Sequence, residues 1–255
     1  MITSLDNPRV KDVLALRRSR ERRRRGLFVA EGPREVERAR AAGLRLVATY
    51  YAPELLDWRD EHAEPVSVRV LRKIAYRAEP EGVIAVVEAP DRQLPRDGTL
   101  YLVAVGIEKP GNLGAMARSA EAAGADALVV AETAADPWNP NAIRASTGAV
   151  FTLPVVEASL PEIRRLGAQL VAAEPNAAMT YTDADLTPPT AIAVGAEDAG
   201  LPAAWLDAAD RTVAIPIASG VTTDSLNAAT AAAVLLFEAV RQRGSAAAKR
   251  YPGSR

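Results

Sequence analysis

Short apolar blocks alternate with polar turns along nearly the whole chain, and their lengths change from strand-sized to helix-sized in a regular order. A polar, arginine-dense helix beginning near Asn7 and Pro8 is followed by a short strand at residues 26–32. A helix at 33–43 opens on Pro33 and closes at Gly43, which is the usual placement of these two residue types at helix ends. LRLVATYYA, PVSVRVL and KIAYRAEPEGVIAVVEAP continue the alternation, so residues 1–90 read as a small α/β domain of about three helices around a four-stranded sheet. DRQLPRDG, at 91–98, is polar and proline-bearing and reads as a linker.

Beyond it the pattern becomes strand, loop, helix, strand, which marks the start of a doubly wound parallel sheet over residues 99–255. Strands are predicted at 100–105, 127–130, 150–155 and 191–194, and a helix at 113–123 ends at Gly124. At residues 215–238 a short apolar strand, a polar turn and a long apolar helix follow directly on one another. Thr223 or Asp224 is the expected cap, which places Ser225 and Asn227 in the first helical turn. Residues 228–236 are almost wholly apolar, so this helix needs cover from a sheet or from a second subunit.

Composition narrows the class. The 255 residues are 49% apolar and contain no cysteine, which removes disulfides and thiolate chemistry. The start MITSLDNPRV has no apolar signal segment, and no run is long enough to cross a bilayer, so a soluble cytoplasmic protein without membrane partners is expected. The only histidine, His62, lies in a charged stretch, and no metal site is expected. The net charge of -1 conceals an asymmetry: residues 1–40 hold twelve Arg or Lys against six Asp or Glu, a net of +6, and the remainder carries -7. Arg17, Arg18, Arg20, Arg22, Arg23, Arg24 and Arg25 occupy seven of nine consecutive positions. Like charges so close destabilise a helix, and an RNA backbone would offset the repulsion.

The candidate chemistry gathers in loops at strand ends. PGNLG lacks both the dinucleotide fingerprint and the P-loop spacing, yet Asn112 and Arg118 stand out on a helix that otherwise packs by apolar residues. Asn139, Asn141, Arg144, Ser146 and Thr147 form a second polar cluster. The loops at 106–112, 195–200 and 217–225 each leave the carboxyl end of a strand, where ligands bind in open α/β sheets, and can converge on one pocket.

Four motifs in order, PGNLGAMARSA, IRASTGAVFTLP, VGAEDAGL, and IPI followed by SLNAATAAAVLLFE, resemble those of the SpoU/TrmH branch of the SPOUT RNA 2'-O-ribose methyltransferases. The first ninety residues resemble the ribosomal-protein-L30e-like RNA-binding domain of rRNA-modifying members. The resemblance covers nearly the whole chain. It implies an α/β architecture with a deep trefoil knot in the C-terminal SPOUT domain, S-adenosyl-L-methionine as cofactor, a homodimer with its sites near the interface, and methyl transfer to a ribose 2'-hydroxyl in structured RNA, 23S rRNA first. A tRNA 2'-O-methyltransferase and a non-catalytic RNA-binding or ribosome-assembly protein are the alternatives.

Carried over by motif, the catalytic positions fall on Asn112, Arg118, Glu197, Ser225 and Asn227. The cofactor positions fall on Thr147, Gly148, Gly195, Ile215 and Leu226, with Gly195 expected to let the backbone pass close to the adenosine. The RNA contacts expected from charge are the seven arginines of the run together with Arg144. The chain departs from the family pattern at Glu108-Lys109, at Asp198, and in a turn about two residues longer between Ile217 and Ser225.

Overall fold

A computed structural model describes residues 1–132, 135–223 and 225–244. The chain forms two compact units, the first from residues 1–91 with 136–152 and the second from 92–135 with 153 onward. In chain order the first unit contributes α1 (Pro8–Ala15), α2 (Ser19–Arg25), β1 (Leu27–Glu31), α3 (Pro33–Ala41), β2 (Leu46–Tyr51), β3 (Ala63–Pro65), α4 (Val68–Ile74) and β4 (Val83–Glu88). The second begins with β5 (Leu100–Val105), α5 (Pro110–Ala122) and β6 (Ala127–Ala131). The chain then passes back into the first unit through α6 (Pro140–Ser146) and a 3-10 turn at Ala149–Phe151. It returns for β7 (Val155–Glu157), α7 (Leu160–Arg164), β8 (Gln169–Ala173), β9 (Thr190–Val194), α8 (Ala203–Ala208), β10 (Arg211–Val213) and α9 (Ala228–Gln242).

The first unit is built on a sheet of order β1-β4-β2-β3, in which β4 runs antiparallel to both neighbours. The expected arginine-dense helix divides in two. Asn7 caps α1 by accepting from the Arg9 N–H, and α1 stops at Leu16, after which Arg18 is extended. A break inside a helical run frees carbonyls that need donors. Arg22 supplies them: its Nη1 donates to Leu16 O at 2.7 Å and Arg17 O at 2.9 Å. The same guanidinium turns its other edge to Asp136, with Nε donating to Oδ2 at 2.8 Å and Nη2 lying 2.6 Å from that oxygen. Both side chains are at most 4% exposed, so Arg22 is an internal bond of the fold and not an RNA contact.

Asp136 opens the segment that the sequence pattern assigns to the C-terminal domain. Ser19 Oγ donates to its Oδ2, and Phe28 stacks between Trp138 and Phe151 with centroids 4.6 and 5.7 Å away. This packing also explains why the strand expected over 150–155 forms only from Val155 onward. Val150 and Phe151 are fully buried against the first unit by side-chain packing, and pairing starts only at Val155, after Pro154.

The second unit is a six-stranded, wholly parallel sheet of order β10-β8-β9-β5-β6-β7. Strands β5, β6 and β9 are buried at every position, as parallel strands covered on both faces must be. The strand expected at the start of 215–238 ends at Val213, and Ile215 and Ile217 belong to a loop. α9 is capped by Asn227, whose Oδ1 accepts from Ala229 N and Thr230 N at 3.0 and 3.3 Å. Thr223 therefore does not cap it, Ser225 lies before the helix, and Asp224 falls outside the described residues.

Candidate active site

Strands β10, β8 and β9 are neighbours, and their carboxyl ends open onto a cleft of about 640 Å³, open solvent included. Gly195 and Glu197 follow β9; Ile215 and Ile217 follow β10; Ser225 and Leu226 lead into α9; all six line the cleft. The walls are mostly aliphatic, with carboxylates from Glu197 and from Glu174, which follows β8. Glu174 is not among the site residues expected from the sequence, although AAEP after an apolar strand carries the same strand-end signal as the loops at 106–112, 195–200 and 217–225.

Gly195 lines the cleft, and its own loop also requires a glycine there. A Cβ there would sit 2.2 Å from the Gly200 carbonyl carbon and 2.5 Å from Leu201 N, contacts that no side chain can make. The requirement comes from the loop closing on itself, where Gly200 N donates to Ala196 O at 2.8 Å. The tight return holds Glu197 at the wall of the cleft.

A recess of about 430 Å³ adjoins the cleft, lined by Ile107, Glu108, Lys109 and Asn112 from the β5–α5 loop and the start of α5. Ala196 and Glu197 line both cavities, so the three sequence-predicted loops meet at a shared wall. Four polar residues are wired together there. Asn227 Nδ2 donates to Glu197 Oε1 and lies 3.3 Å from Asn112 Oδ1, and Lys109 Nζ bonds Glu197 Oε2. The Lys109 hydrogen bond, ahead of those from Asn112 and Asn227, holds the Glu197 carboxyl below its ordinary range, and Glu197 in turn raises Lys109. Glu197 is 22% exposed and Lys109 69%, so the pair sits at the mouth of the site with its cation toward solvent.

The other sequence-predicted positions separate. Arg118 is exposed on α5 and lines neither cavity. Thr147 and Gly148 belong to the first unit and are not among the residues that line the cleft, and a Cβ on Gly148 would lie 2.9 Å from Arg38 Cδ. Of the arginine run, Arg17 donates to the carbonyls of Lys73 and Ala75 at 3.1 and 2.5 Å. Arg24 and Arg25 pair with Glu21, whose pKa falls to about 2 chiefly through the Arg24 bond. Arg18, Arg20 and Arg23 are exposed, as is Arg144. Among the described residues no group of three or more His, Cys, Asp or Glu could hold a metal ion, and no helix is long and apolar enough to cross a membrane.

A wholly parallel α/β sheet with an aliphatic cleft at adjacent strand ends, closed on one side by a hydrogen-bonded Glu-Asn-Asn wall, defines a protein that holds an organic ligand there. Comparison with known proteins gives that class a family. The SpoU rRNA Methylase family profile matches residues 99–237, and the MRM3-like substrate binding domain profile matches 7–85. The chain belongs to the SpoU rRNA Methylase family, in its rRNA-modifying branch with an N-terminal substrate-binding domain. It is 36% identical to the 23S rRNA (uridine(2479)-2'-O)-methyltransferase of Streptomyces viridochromogenes, over 93% of this chain and 91% of that one. It is 31% identical to a 23S rRNA (guanosine(2553)-2'-O)-methyltransferase of Bacillus subtilis, over 92% and 97%. Among solved structures, an RNA 2'-O ribose methyltransferase superposes with a TM-score of 0.83 at 44% identity, covering 95% of this chain and 98% of its own. An AdoMet-bound rRNA methyltransferase from Sinorhizobium meliloti gives 0.83 at 32%, covering 94% and 97%.

Proposed function

We propose that this protein transfers the methyl group of S-adenosyl-L-methionine to a ribose 2'-hydroxyl of 23S rRNA, acting as a homodimer in the cytoplasm. The observation that carries this reading is the shared wall, on which Glu197, Asn227 and Asn112 form one hydrogen-bonded set between an aliphatic cleft and a polar recess. The cleft fits the cofactor by its donor set. Ile215, Ile217 and Leu226 offer apolar surface to a ring, and the Glu174 and Glu197 carboxylates suit a cationic amino acid end. The cofactor supplies an electrophilic methyl on a sulfonium. The fold through which the family knots its C-terminal segment belongs to this reading as well.

The chain's own part is positioning. In-line attack by a hydroxyl gains most from holding the reactants at contact distance and from stabilising charge that grows on oxygen. Asn112 and Asn227 carry amides at the wall that can hold the ribose. Arg118 suits the phosphate next to the target and the developing alkoxide, and as a guanidinium it does not take the proton. At 3.6 residues per turn, the six positions from Asn112 to Arg118 turn it about 120° around α5 from the wall. Its role therefore requires a second copy that brings Arg118 to this cleft. α9 offers a surface for such a copy: Phe237 is 49% exposed, with Ala233, Val234 and Val240 only partly covered beside it.

The deciding experiment is transfer from labelled cofactor to unmodified 23S rRNA, 16S rRNA and total tRNA in parallel. Labelling of 23S rRNA in an alkali-resistant linkage is expected, and preferential labelling of tRNA would overturn the substrate. Sedimentation at micromolar concentration should show a dimer; a 27.0 kDa monomer would remove the route by which Arg118 acts.

A further inference from the structure

The first unit holds a shallow recess that the methyl-transfer chemistry does not use. Glu31 and Glu35 from β1 and α3, Tyr76 and Arg77 after α4, and Asn141 and Arg144 on α6 border it. Its acidic members are already matched. The Glu31 carboxylate accepts from the backbone N–H of Tyr76 at 2.9 Å and of Arg77 at 3.2 Å. Glu35 lies 3.7 Å from the Arg77 guanidinium, which also pairs with Glu81. The floor is therefore satisfied, and the groups left to face a ligand are on the rim. Tyr76 is 44% exposed and its backbone N–H is held by Glu31, so the recess carries an aromatic ring open to solvent on a fixed backbone. Arg144, on the same rim, is exposed, and its Nη2 donates to Asn141 Oδ1 at a long 3.3 Å.

An aromatic face, an amide and a guanidinium around one recess match an unstacked nucleotide, whose base needs a π-surface and edge contacts and whose phosphate needs a cation. Paired bases inside a duplex do not present their faces. A second feature favours RNA: Tyr76 lies in the stretch matched by the substrate-binding profile, while Asn141 and Arg144 lie in the stretch matched by the methylase profile. A nucleotide seated here touches both. The Arg22–Asp136 bond and the Trp138–Phe28–Phe151 stack hold the two walls of the recess in place. We propose that this recess seats one unpaired nucleotide of the RNA substrate, its base stacked on Tyr76, its edge toward Asn141 and its phosphate on Arg144. The proposal rests on RNA being the substrate, but not on methyl transfer.

Filter binding of the full-length protein to unmodified, in vitro transcribed 23S rRNA across a salt series tests it. Tyr76→Ala should weaken binding roughly 5- to 150-fold, the span of a lost base–aromatic stack, and Tyr76→Phe should not. Arg144→Ala should lower the slope of log affinity against log salt by about 0.7, the value for one single-strand phosphate contact. Circular dichroism and the thermal unfolding midpoint of each variant check that it is folded. In the wild-type protein, 4-thiouridine-substituted rRNA should crosslink to Tyr76 or to residues 141–144. Wild-type affinity in both Tyr76→Ala and Arg144→Ala, equal losses in Tyr76→Ala and Tyr76→Phe, or crosslinks confined to other surfaces would each overturn the proposal. Crosslinking at Tyr76 by a protein that methylates no RNA would leave the recess standing and remove the proposed activity; normal methylation with unaffected Tyr76 and Arg144 variants would do the reverse.

Discussion

Asn227 works at both ends of one amide. Its oxygen caps α9 and its nitrogen holds Glu197 at the cleft wall. Asn227→Ala should lower stability by about 1 kcal/mol, the usual cost of losing an N-cap, as read from urea midpoints. The Lys109–Glu197 pair adds a dependence on pH. Because Glu197 is depressed in the fold, its contribution is present above the ordinary carboxylate range and is lost as pH falls through the folded value. Lys109 is raised, so its contribution holds below its ordinary range and is lost as pH rises through the folded value. Lys109→Met should therefore be less stable than wild type at neutral pH, with the difference shrinking toward pH 3; a difference independent of pH would show that the ion pair contributes nothing. The family motifs pick out Asn112, Glu197 and Asn227, which lie in or beside the loops that leave strand ends. Those motifs could show Lys109 only as a departure, since its partner lies 88 positions away.

At the scale of elements, the arginine run shows what charge counting can and cannot reveal. Seven arginines in nine positions read as one electrostatic surface, and the count is blind to which of them points inward. The turn between α1 and α2 decides that, because it rotates Arg22 onto its freed carbonyls and onto Asp136. Substitution should separate the two kinds of arginine. Arg22→Met strands a buried carboxylate and should cost about 3–5 kcal/mol. Arg20→Ala, at an exposed position, should stay within about 0.5 kcal/mol of wild type and lower RNA affinity in a salt-dependent way. Thermal unfolding and filter binding of the two variants would distinguish these outcomes, and equal stability losses would contradict the assignment. The strand expected over 150–155 starts only at Val155 for a related reason: an apolar run signals burial, and only tertiary contact decides between a pairing strand and a turn packed on Phe28.

At the scale of the molecule, the alternation of blocks was enough to show two α/β bodies and a parallel sheet, because each element's period is local. It could not show that residues 136–152 leave one body and complete the other, since the contacts that hold them there join Asp136, Trp138 and Phe151 to residues more than a hundred positions earlier. The consequence is practical. Removing residues 1–91 would not liberate an independent catalytic body: it would expose Ile143 and Phe151, both at most 2% accessible in the full chain, and leave Asp136 without Arg22. A protein of residues 92–255 should therefore bind hydrophobic dye and show fast amide exchange across 136–152. Polar replacement of Trp138, Ile143 and Phe151 in the truncated protein should abolish the dye binding, while the residues that line the cleft, all from the second unit, remain available to the cofactor. If instead the truncated chain protects 136–152 as well as the full protein does, the segment is held by the second unit, and the division of the chain drawn from its packing is wrong.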